Sequence, residues 1–495
     1  MASWPDEFDV VILGGGAGAK LIWGAVGQRS VAVVEQSLVG GACPFVACVP
    51  SKAMLHTARV WQLGADPRQS ALFTGRVPAS EAYRLACERR DSIVHHRDDT
   101  INAEALAHTG AVLVRGHGQL IEPGVLDVDG RRLRYRDLVI NTGSVPVRPD
   151  IPGLDSVPVW SSDDALSTTT LPGSMLIVGG GAVGCELAFL FATFGVAVIL
   201  TQRAPRLLPA EEPRASADVE DALTQLGVAV RTATTVTSVA KRGDRAEAQL
   251  STGGRVTVEQ VVLAAGRIPR VEGLGLHHVG LDLVPGAVIP IDEQCRAVGA
   301  EDLWAIGDVT GKSAFTHTSH YQGRVVAANL RGHRVRADYA SIPRAVYVEP
   351  TLAAAGHTIA SARHAGIEPV TAGAEMGTAA VRSSIDGQPA GWITLLADPA
   401  TQCLIGATGM GHNAEEWISV LSQAICAATP VAVLADVVHP FPSFGELLEN
   451  PLWQLREALH AQLSTLSAAR GSGFIQTAHP DEVSPHPEEA RHDSR

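Results

Sequence analysis

Residues 8–19 read Phe8-Asp-Val-Val-Ile-Leu-Gly-Gly-Gly-Ala-Gly-Ala19. An apolar strand, Phe8–Leu13, runs into a turn that fits G-x-G-x-x-G/A, with Ala19 in the last place. Gly14 permits a tight turn, Gly16 lets backbone approach a pyrophosphate, and the small Ala19 lets a helix pack on the strand. The N-terminus of that helix then holds the anion. A second strand, Val31–Val34, delivers Glu35 about 20 residues after the glycines, where a ribose-binding carboxylate belongs.

The pattern recurs. The strand Met175–Val178 leads into Gly179-Gly-Gly-Ala-Val-Gly184, a full G-x-G-x-x-G. The strand after it, Val196–Leu200, ends in Thr201-Gln202-Arg203, with Arg206 close behind and no acid. Arginines in place of the acid suit a 2′-phosphate, so NADP(H) is expected here over NAD(H). A lone motif of this kind is often only a glycine-rich turn. Two copies, each between a strand and an apolar segment, make a pair of dinucleotide-binding folds the stronger reading.

Composition agrees. At roughly 150 residues per domain, 495 residues predict about three domains. The chain is 46% hydrophobic and 18% charged, which excludes a disordered or fibrous protein. A net charge of −13 gives no basic face for nucleic acid, and solubility explains the acidity. The start of the chain has no basic n-region or cleavage site, which predicts no export signal. The most apolar stretch, Leu187–Leu200, lies between Glu186 and Arg203 and is short of the ~20 residues needed to cross a bilayer. A soluble cytoplasmic protein without nucleic-acid or membrane partners is expected. No His/Cys cluster has zinc-ligand spacing, so no metal is expected.

Other landmarks are coarser. Asp137–Gly143, Gln260–Gly266 and Leu303–Asp308 read as strands entering tight turns. From about residue 342 the pattern changes to alternating strands, then helices over Ala414–Ala427 and from about Phe444 to His460. Gly471–Arg495 is polar, proline-rich and aperiodic, which predicts disorder.

Seven cysteines do not make a disulfide scaffold in a chain this long. Two are close, in Gly40-Gly-Ala-Cys43-Pro-Phe-Val-Ala-Cys48-Val-Pro-Ser-Lys52. Cysteines at this separation near a helix start can close a small, exchangeable disulfide, because a helix N-terminus stabilises a thiolate. Two buried structural cysteines are the plain alternative.

C-x4-C-x-P-S-K after a first glycine motif, followed by a second motif and the Gly307-Asp308 turn, resembles the pyridine nucleotide-disulfide oxidoreductases over about residues 8–465. Dihydrolipoamide dehydrogenase, glutathione reductase and mercuric reductase belong to that family. The resemblance implies an α/β chain with two Rossmann-like three-layer dinucleotide-binding domains and a C-terminal α+β dimerisation domain. The division expected is FAD binding over 1–147, NAD(P)H binding over 148–270, a central segment over 271–341, dimerisation over 342–465 and a disordered tail over 466–495. It implies that Gly14, Gly16, Ala19 and Glu35 hold the ADP half of FAD, that Asp308 faces the ribityl chain, and that Thr316 and His317 lie near the flavin. Gly41, Thr142 and Gly143 join that set. Gly179, Gly181, Gly184, Arg203, Arg206 and Gly266 complete the cofactor-binding residues, with NADPH as donor. Lys52 is expected near flavin N5, paired with Glu186, although the two could form an ordinary ion pair. The resemblance implies that NADPH reduces the flavin and the flavin the Cys43–Cys48 disulfide, with Cys48 as the flavin-side thiolate and Cys43 as the interchange thiol.

The C-terminal part departs from the pattern. Disulfide reductases of the family carry His-Pro-Thr-x-x-Glu there, donated across a homodimer. This chain has His439-Pro-Phe-Pro-Ser-Phe-Gly-Glu446. Gap-free alignment on Pro442-Ser443 and Glu446 puts Phe441 at the histidine place; the rival alignment uses His439 and inserts two residues. Phenylalanine cannot shuttle a proton, which predicts poor turnover of ordinary small disulfides such as oxidised glutathione or lipoamide. Glu446, without an imidazole, is then structural, and His439 is a capping or solvent-facing residue. The 2-ketopropyl coenzyme M oxidoreductase/carboxylase is similar in its C-P-x-x-A-C-V-P motif and in this phenylalanine, but Ser51-Lys52 and Glu446 follow ordinary reductases. An NADPH-dependent reductase of a disulfide, thiol-bound or quinone-like acceptor is expected, with a carboxylase or a redox-sensing flavoprotein as alternatives. Mercuric reductase is disfavoured, because the last cysteine is Cys426.

Overall fold

The computed structural model describes residues 4–64, 75, 77–388 and 390–471, with side chains as far as 462. Two sheets have parallel centres. In one, Val112–Arg115, Val31–Glu35, Glu7–Leu13 and Arg131–Ile140 lie side by side, and Leu303–Ala305 returns to pair with Arg131–Ile140. Val10, Val11 and Ile12 are fully buried, as expected of a strand covered on both faces. The strands Val125–Val128 and Gly118–Glu122 extend the sheet antiparallel.

The second sheet is parallel, in the order Ala229–Arg231, Ala197–Thr201, Ser174–Val178, Gln260–Leu263, Val159–Ser161. The helix Ala182–Thr193 follows its glycine turn and is buried along most of its length. A three-stranded antiparallel sheet, Val236–Arg242, Arg245–Leu250 and Arg255–Val258, packs on strands Ser174–Val178 and Gln260–Leu263 of the parallel sheet. From Arg344 onward a separate antiparallel sheet of five strands carries the helices Ala414–Cys426 and Glu446–Gly471. Trp417, Leu421, Leu447 and Leu455 fill the space between sheet and helices. This is the expected fold class.

Two expectations change. The first glycine motif does not open a long helix: Ala17–Leu21 is one 3-10 turn, followed by turns. Gly24 and Gly27 interrupt the segment, and Gly27 takes φ +73°, so a helix cannot propagate there. At the other end, the helix Glu446–Gly471 runs past position 466, where the tail was expected to begin. Its apolar residues Leu448, Leu452, Leu455 and Leu459 recur at helical spacing and are buried. Residues 472–495 of the expected tail lie outside the described residues. Among the described residues no helix is long and apolar enough to cross a membrane.

Candidate active site

The two cysteines sit at consecutive helix starts. Cys43 lies in the short helix Ala42–Phe45, and Cys48 is the first residue of the helix Cys48–Leu63. Both are free thiols here. Thr316, the first residue of the helix Thr316–Leu330, places its Oγ1 3.4 Å from Cys48 Sγ. The hydrogen bond from Cys43, then the one with Thr316 and the nearby Lys52 charge, hold the Cys48 thiol down at about 6, against burial and the Glu186 charge. Hydrogen bonding to the Cys48 thiolate, then burial, push the Cys43 thiol well above its ordinary range. Cys48 is therefore the sulfur that holds the negative charge.

One turn into the same helix, Lys52 Nζ donates to Glu186 Oε2 at 2.7 Å. Glu186 comes from the helix that follows the second glycine turn. Its carboxylate also accepts from Ser51 Oγ at 3.1 Å and from the Tyr347 N–H at 3.1 Å. The ammonium lies 4.4 Å from the centre of the Tyr347 ring. Three donors and an aromatic floor thus fix one charged pair beside the thiols. Ser51 and Tyr347 were not anticipated. Ser51 stood inside the quoted motif, whereas no local pattern marks Tyr347, 161 residues from Glu186.

A cavity of about 540 Å³ joins these groups to the first nucleotide fold. Gly14, Gly16, Glu35, Gly41, Cys43, Cys48, Lys52, Thr142, Gly143, Glu186, Asp308 and Thr316 all line it. Glu35 accepts from the Gly15 N–H at 2.7 Å and from the Ser37 N–H at 2.7 Å, which ties its strand to the glycine turn. A Cβ on Gly14, at φ +100°, would meet the Asn141 carbonyl oxygen at 2.4 Å. Asn141 Nδ2 in turn donates to the Gly14 carbonyl at 2.9 Å. Ser144 Oγ donates to Asp308. Thr142 Oγ1 is committed to the Arg270 carbonyl at 2.7 Å. Ala19 is fully buried beneath the turn.

These residues fit FAD. The glycine cradle and a ribose-type carboxylate share one cavity with a thiol pair and a lysine. At the second glycine turn, a Cβ on Gly184 would lie 1.8 Å from the Gly179 carbonyl oxygen, so helix and turn are in direct contact. Gly181 is open, and Gly266, just after the neighbouring strand Gln260–Leu263, takes φ +109°.

Two expected site residues, Arg206 and His317, behave differently. Arg206 donates to the carbonyls of Glu211 and Pro209 at 2.7 Å each and to Ser216 Oγ at 2.6 Å. Its guanidinium braces its own loop and is not free for a 2′-phosphate, whereas Arg203 is exposed. His317 lies outside the cavity lining; its Nε2 is 2.8 Å from the Pro343 carbonyl and its ring stacks on Phe315. Burial keeps its pKa below the usual imidazole value. None of residues 439–446 lines the cavity of its own chain. Phe441 is 75% exposed, and Glu446 accepts from the Ser443 N–H at 2.6 Å, closing the start of its helix. His439 lies against Gly445 in the same loop.

A nucleotide turn, a thiol pair and a lysine–glutamate pair in one cavity, beside a second nucleotide fold, define a flavin- and nicotinamide-dependent thiol oxidoreductase. Comparison with known proteins agrees. Residues 8–323 match the family described as "Pyridine nucleotide-disulphide oxidoreductase", and residues 342–451 match its dimerisation domain. Dihydrolipoyl dehydrogenase of Mycobacterium leprae is 30% identical over 90% of this chain and 97% of its own. Mercuric reductase of Streptomyces lividans is 31% identical over 89% of this chain and 95% of its own. Among solved structures, the HOCl-induced flavoprotein disulfide reductase RclA from Escherichia coli matches with TM-score 0.78 and 26% identity over 90% of this chain and 99% of that one. The chain belongs to the pyridine nucleotide-disulfide oxidoreductase family. It is an enzyme of an FAD-dependent, NAD(P)H-using class and carries that family's dimerisation domain.

Proposed function

We propose that this enzyme uses NADPH to reduce the Cys43–Cys48 disulfide and passes the electrons to a disulfide, thiol-bound or quinone-like acceptor. The single observation that carries this is the shared cavity: Cys43, Cys48, Lys52 and Glu186 line it together with Gly14, Gly16 and Glu35. When bound, FAD supplies the two-electron exchange between nicotinamide and sulfur. The chain's residues do the rest. Glu186 holds Lys52 in place, Lys52 and Thr316 keep Cys48 ionised, and Cys43 is the thiol that meets the acceptor. Glu35 and the first glycine turn hold the ADP half. Gly179, Gly181 and Gly184 receive the nicotinamide nucleotide, with exposed Arg203 as the 2′-phosphate partner.

The division into nucleotide, central and dimerisation segments is kept at the boundaries expected from the sequence, with the last helix taken to Gly471. The working form is a homodimer in the cytoplasm. The support for the dimer is the segment 438–446, which does not line its own cavity and displays Val438 and Phe441 at 92% and 75% exposure. On the gap-free alignment Phe441 takes the acid–base position, and Glu446, which accepts from the Ser443 N–H, has a capping role. Phe441→His is expected to raise kcat/KM for small disulfides by ~10²-fold, the low end of general acid–base help.

Phe441 also motivates the carboxylase reading, whereas the Ser51 and Lys52 contacts to Glu186 favour the reductase. Incorporation of labelled bicarbonate into a thioether ketone would decide for the former. The main test is anaerobic titration with NADPH. A long-wavelength thiolate–flavin absorbance is expected, and Cys48→Ala abolishes it. FAD-loaded protein that never develops the band refutes the dithiol relay.

A further inference from the structure

Asp308 lines the cofactor cavity, and its carboxylate accepts a hydrogen bond from Ser144 Oγ. Arg267 Nε donates to the same Ser144 Oγ at 2.8 Å, so the carboxylate end of Asp308 is directed. Its backbone is aimed from the other side, by the helix Thr316–Leu330. Thr316, at the start of that helix, touches Cys48. Gln322, further along it, is wholly buried and meets the 3-10 turn Gly307–Thr310 that carries Asp308.

The Gly307 N–H donates to Gln322 Oε1 at 2.7 Å. An N–H can only donate, so the atom facing it is the amide oxygen, and Nε2 takes the other side. Nε2 donates to Thr310 Oγ1 at 3.1 Å and to Tyr339 Oη at 3.0 Å. Thr310 Oγ1 donates in turn to the Gly307 carbonyl at 2.8 Å and accepts from the Lys312 N–H at 3.4 Å. One amide therefore holds the N–H of Gly307 directly and its carbonyl through Thr310. Gly307 sits at φ +76°, a conformation in which a glycine is free to move unless its polar groups are tied.

We propose that Gln322 is a positioning residue for FAD: it ties both backbone polar groups of Gly307 so that Asp308 faces the ribityl chain, and the task requires an amide rather than a carboxylate. This rests on the reading of Asp308 as the ribityl contact. The Thr310 hydroxyl has one hydrogen, already given to the Gly307 carbonyl. An ionised carboxylate at position 322 would still accept from the Gly307 N–H, but its second oxygen would face the Thr310 oxygen with no hydrogen between them. Thr310 would then have to turn its hydrogen away from Gly307. A protonated carboxyl supplies that hydrogen itself and keeps the hold, and burial favours the protonated form. Charged groups on the surrounding elements are few. Asp308 and Lys312 follow Gly307, and Lys312 Nζ lies 6.0 Å from the centre of the Tyr339 ring. Lys20, on the 3-10 turn Ala17–Leu21 against the helix, donates to Asn102 Oδ1 at 2.7 Å. Asp292 accepts from the N–H groups of Gln294 and Arg296. Cys295, 3.7 Å from Tyr339 Oη, is a neutral thiol, pushed up to about 11 by burial.

The rate at which holoenzyme releases FAD on dilution, followed by the rise of free-flavin fluorescence at about pH 6 and about pH 8.5, tests this. Gln322→Leu is expected to speed release about tenfold at both pH values. Gln322→Glu is expected to stay within about threefold of wild type at the lower pH and to reach about tenfold at the higher, because a buried carboxyl of raised pKa is neutral below its midpoint and charged above it. Asp308→Ala alone is expected to speed release about tenfold or more. On that background the Gln322→Leu effect shrinks to about twofold or less, since nothing is left to aim. Should Gln322→Leu fail to fold with FAD, Thr310→Val loosens the Gly307 carbonyl instead, with about threefold expected alone and no further effect on Asp308→Ala. Full additivity of either pair overturns the proposal, as does a Gln322→Glu effect that ignores pH. If Asp308→Ala speeds release while the pair is additive, this proposal fails and the ribityl reading of Asp308 stands; if Asp308→Ala releases FAD at the wild-type rate, that reading itself fails.

Discussion

Replacing Lys52 with methionine should move the protonation of a sulfur that it does not touch. Cys48 titrates at about 6, with Lys52 among the causes that lower it and Glu186 among those that raise it. Lys52 is also the ammonium that neutralises Glu186, at 2.7 Å. Methionine removes the stabilising charge and leaves the carboxylate facing the thiolate, still held by Ser51 and the Tyr347 N–H. A nearby charge is worth about one to three units. Lys52 is 36% exposed, so screening favours the low end, about 1 to 1.5. The Cys48 midpoint should therefore rise to about 7–7.5. A lowered thiol pKa means the thiolate is present above the midpoint and lost as pH falls. At pH 7 the wild-type thiolate fraction is about nine-tenths, and the variant's is about a quarter to a half. The amplitude of the long-wavelength absorbance, read from pH 5 to 9 in anaerobic NADPH-reduced enzyme, measures this directly. Lys52→Arg should stay near the wild-type curve. An unchanged midpoint in Lys52→Met, or one that falls, refutes the reasoning.

Three further outcomes are expected. Glu35→Ala leaves the Gly15 and Ser37 N–H groups without their acceptor, and should lower stability by about 1.5–3 kcal/mol and FAD retention with it, seen by thermal melting and flavin absorbance. Arg203→Ala should raise KM for NADPH and leave NADH nearly unchanged, while Arg206→Ala should lower Tm without separating the two donors; steady-state kinetics with both nucleotides decides. Gly184→Ala puts a methyl group 1.8 Å from the Gly179 carbonyl oxygen. It should destabilise by at least about 1–3 kcal/mol through forced backbone movement, measured by denaturant unfolding.

Much of the site was legible because its parts are local. Gly14 and Gly179 need positive φ, and that demand is written in a few adjacent residues. Cys48 and Lys52 lie on one helix start and Cys43 in the short helix just before it, so close spacing in the sequence brings them together. Glu186 could be paired with Lys52 from the motif resemblance, and the two are in contact. The helix expected after Gly14-Gly15-Gly16 failed because Gly24 and Gly27 outweigh a motif that elsewhere precedes a long helix. Arg206 misled for another reason: a guanidinium has five donors, and the Pro209 and Glu211 carbonyls and the Ser216 hydroxyl nearby engage it.

The sequence alone settled that two nucleotide turns and a thiol pair exist, because backbone stereochemistry and short-range spacing dictate them whatever surrounds them. The tertiary structure decided which charges face one another. Tyr347 beneath Lys52, Asn102 between Lys20 and the Cys43 turn, and Phe441 outside its own cavity are matters of packing between distant segments. Desolvation and Coulomb forces act through space, so no window along the chain contains them.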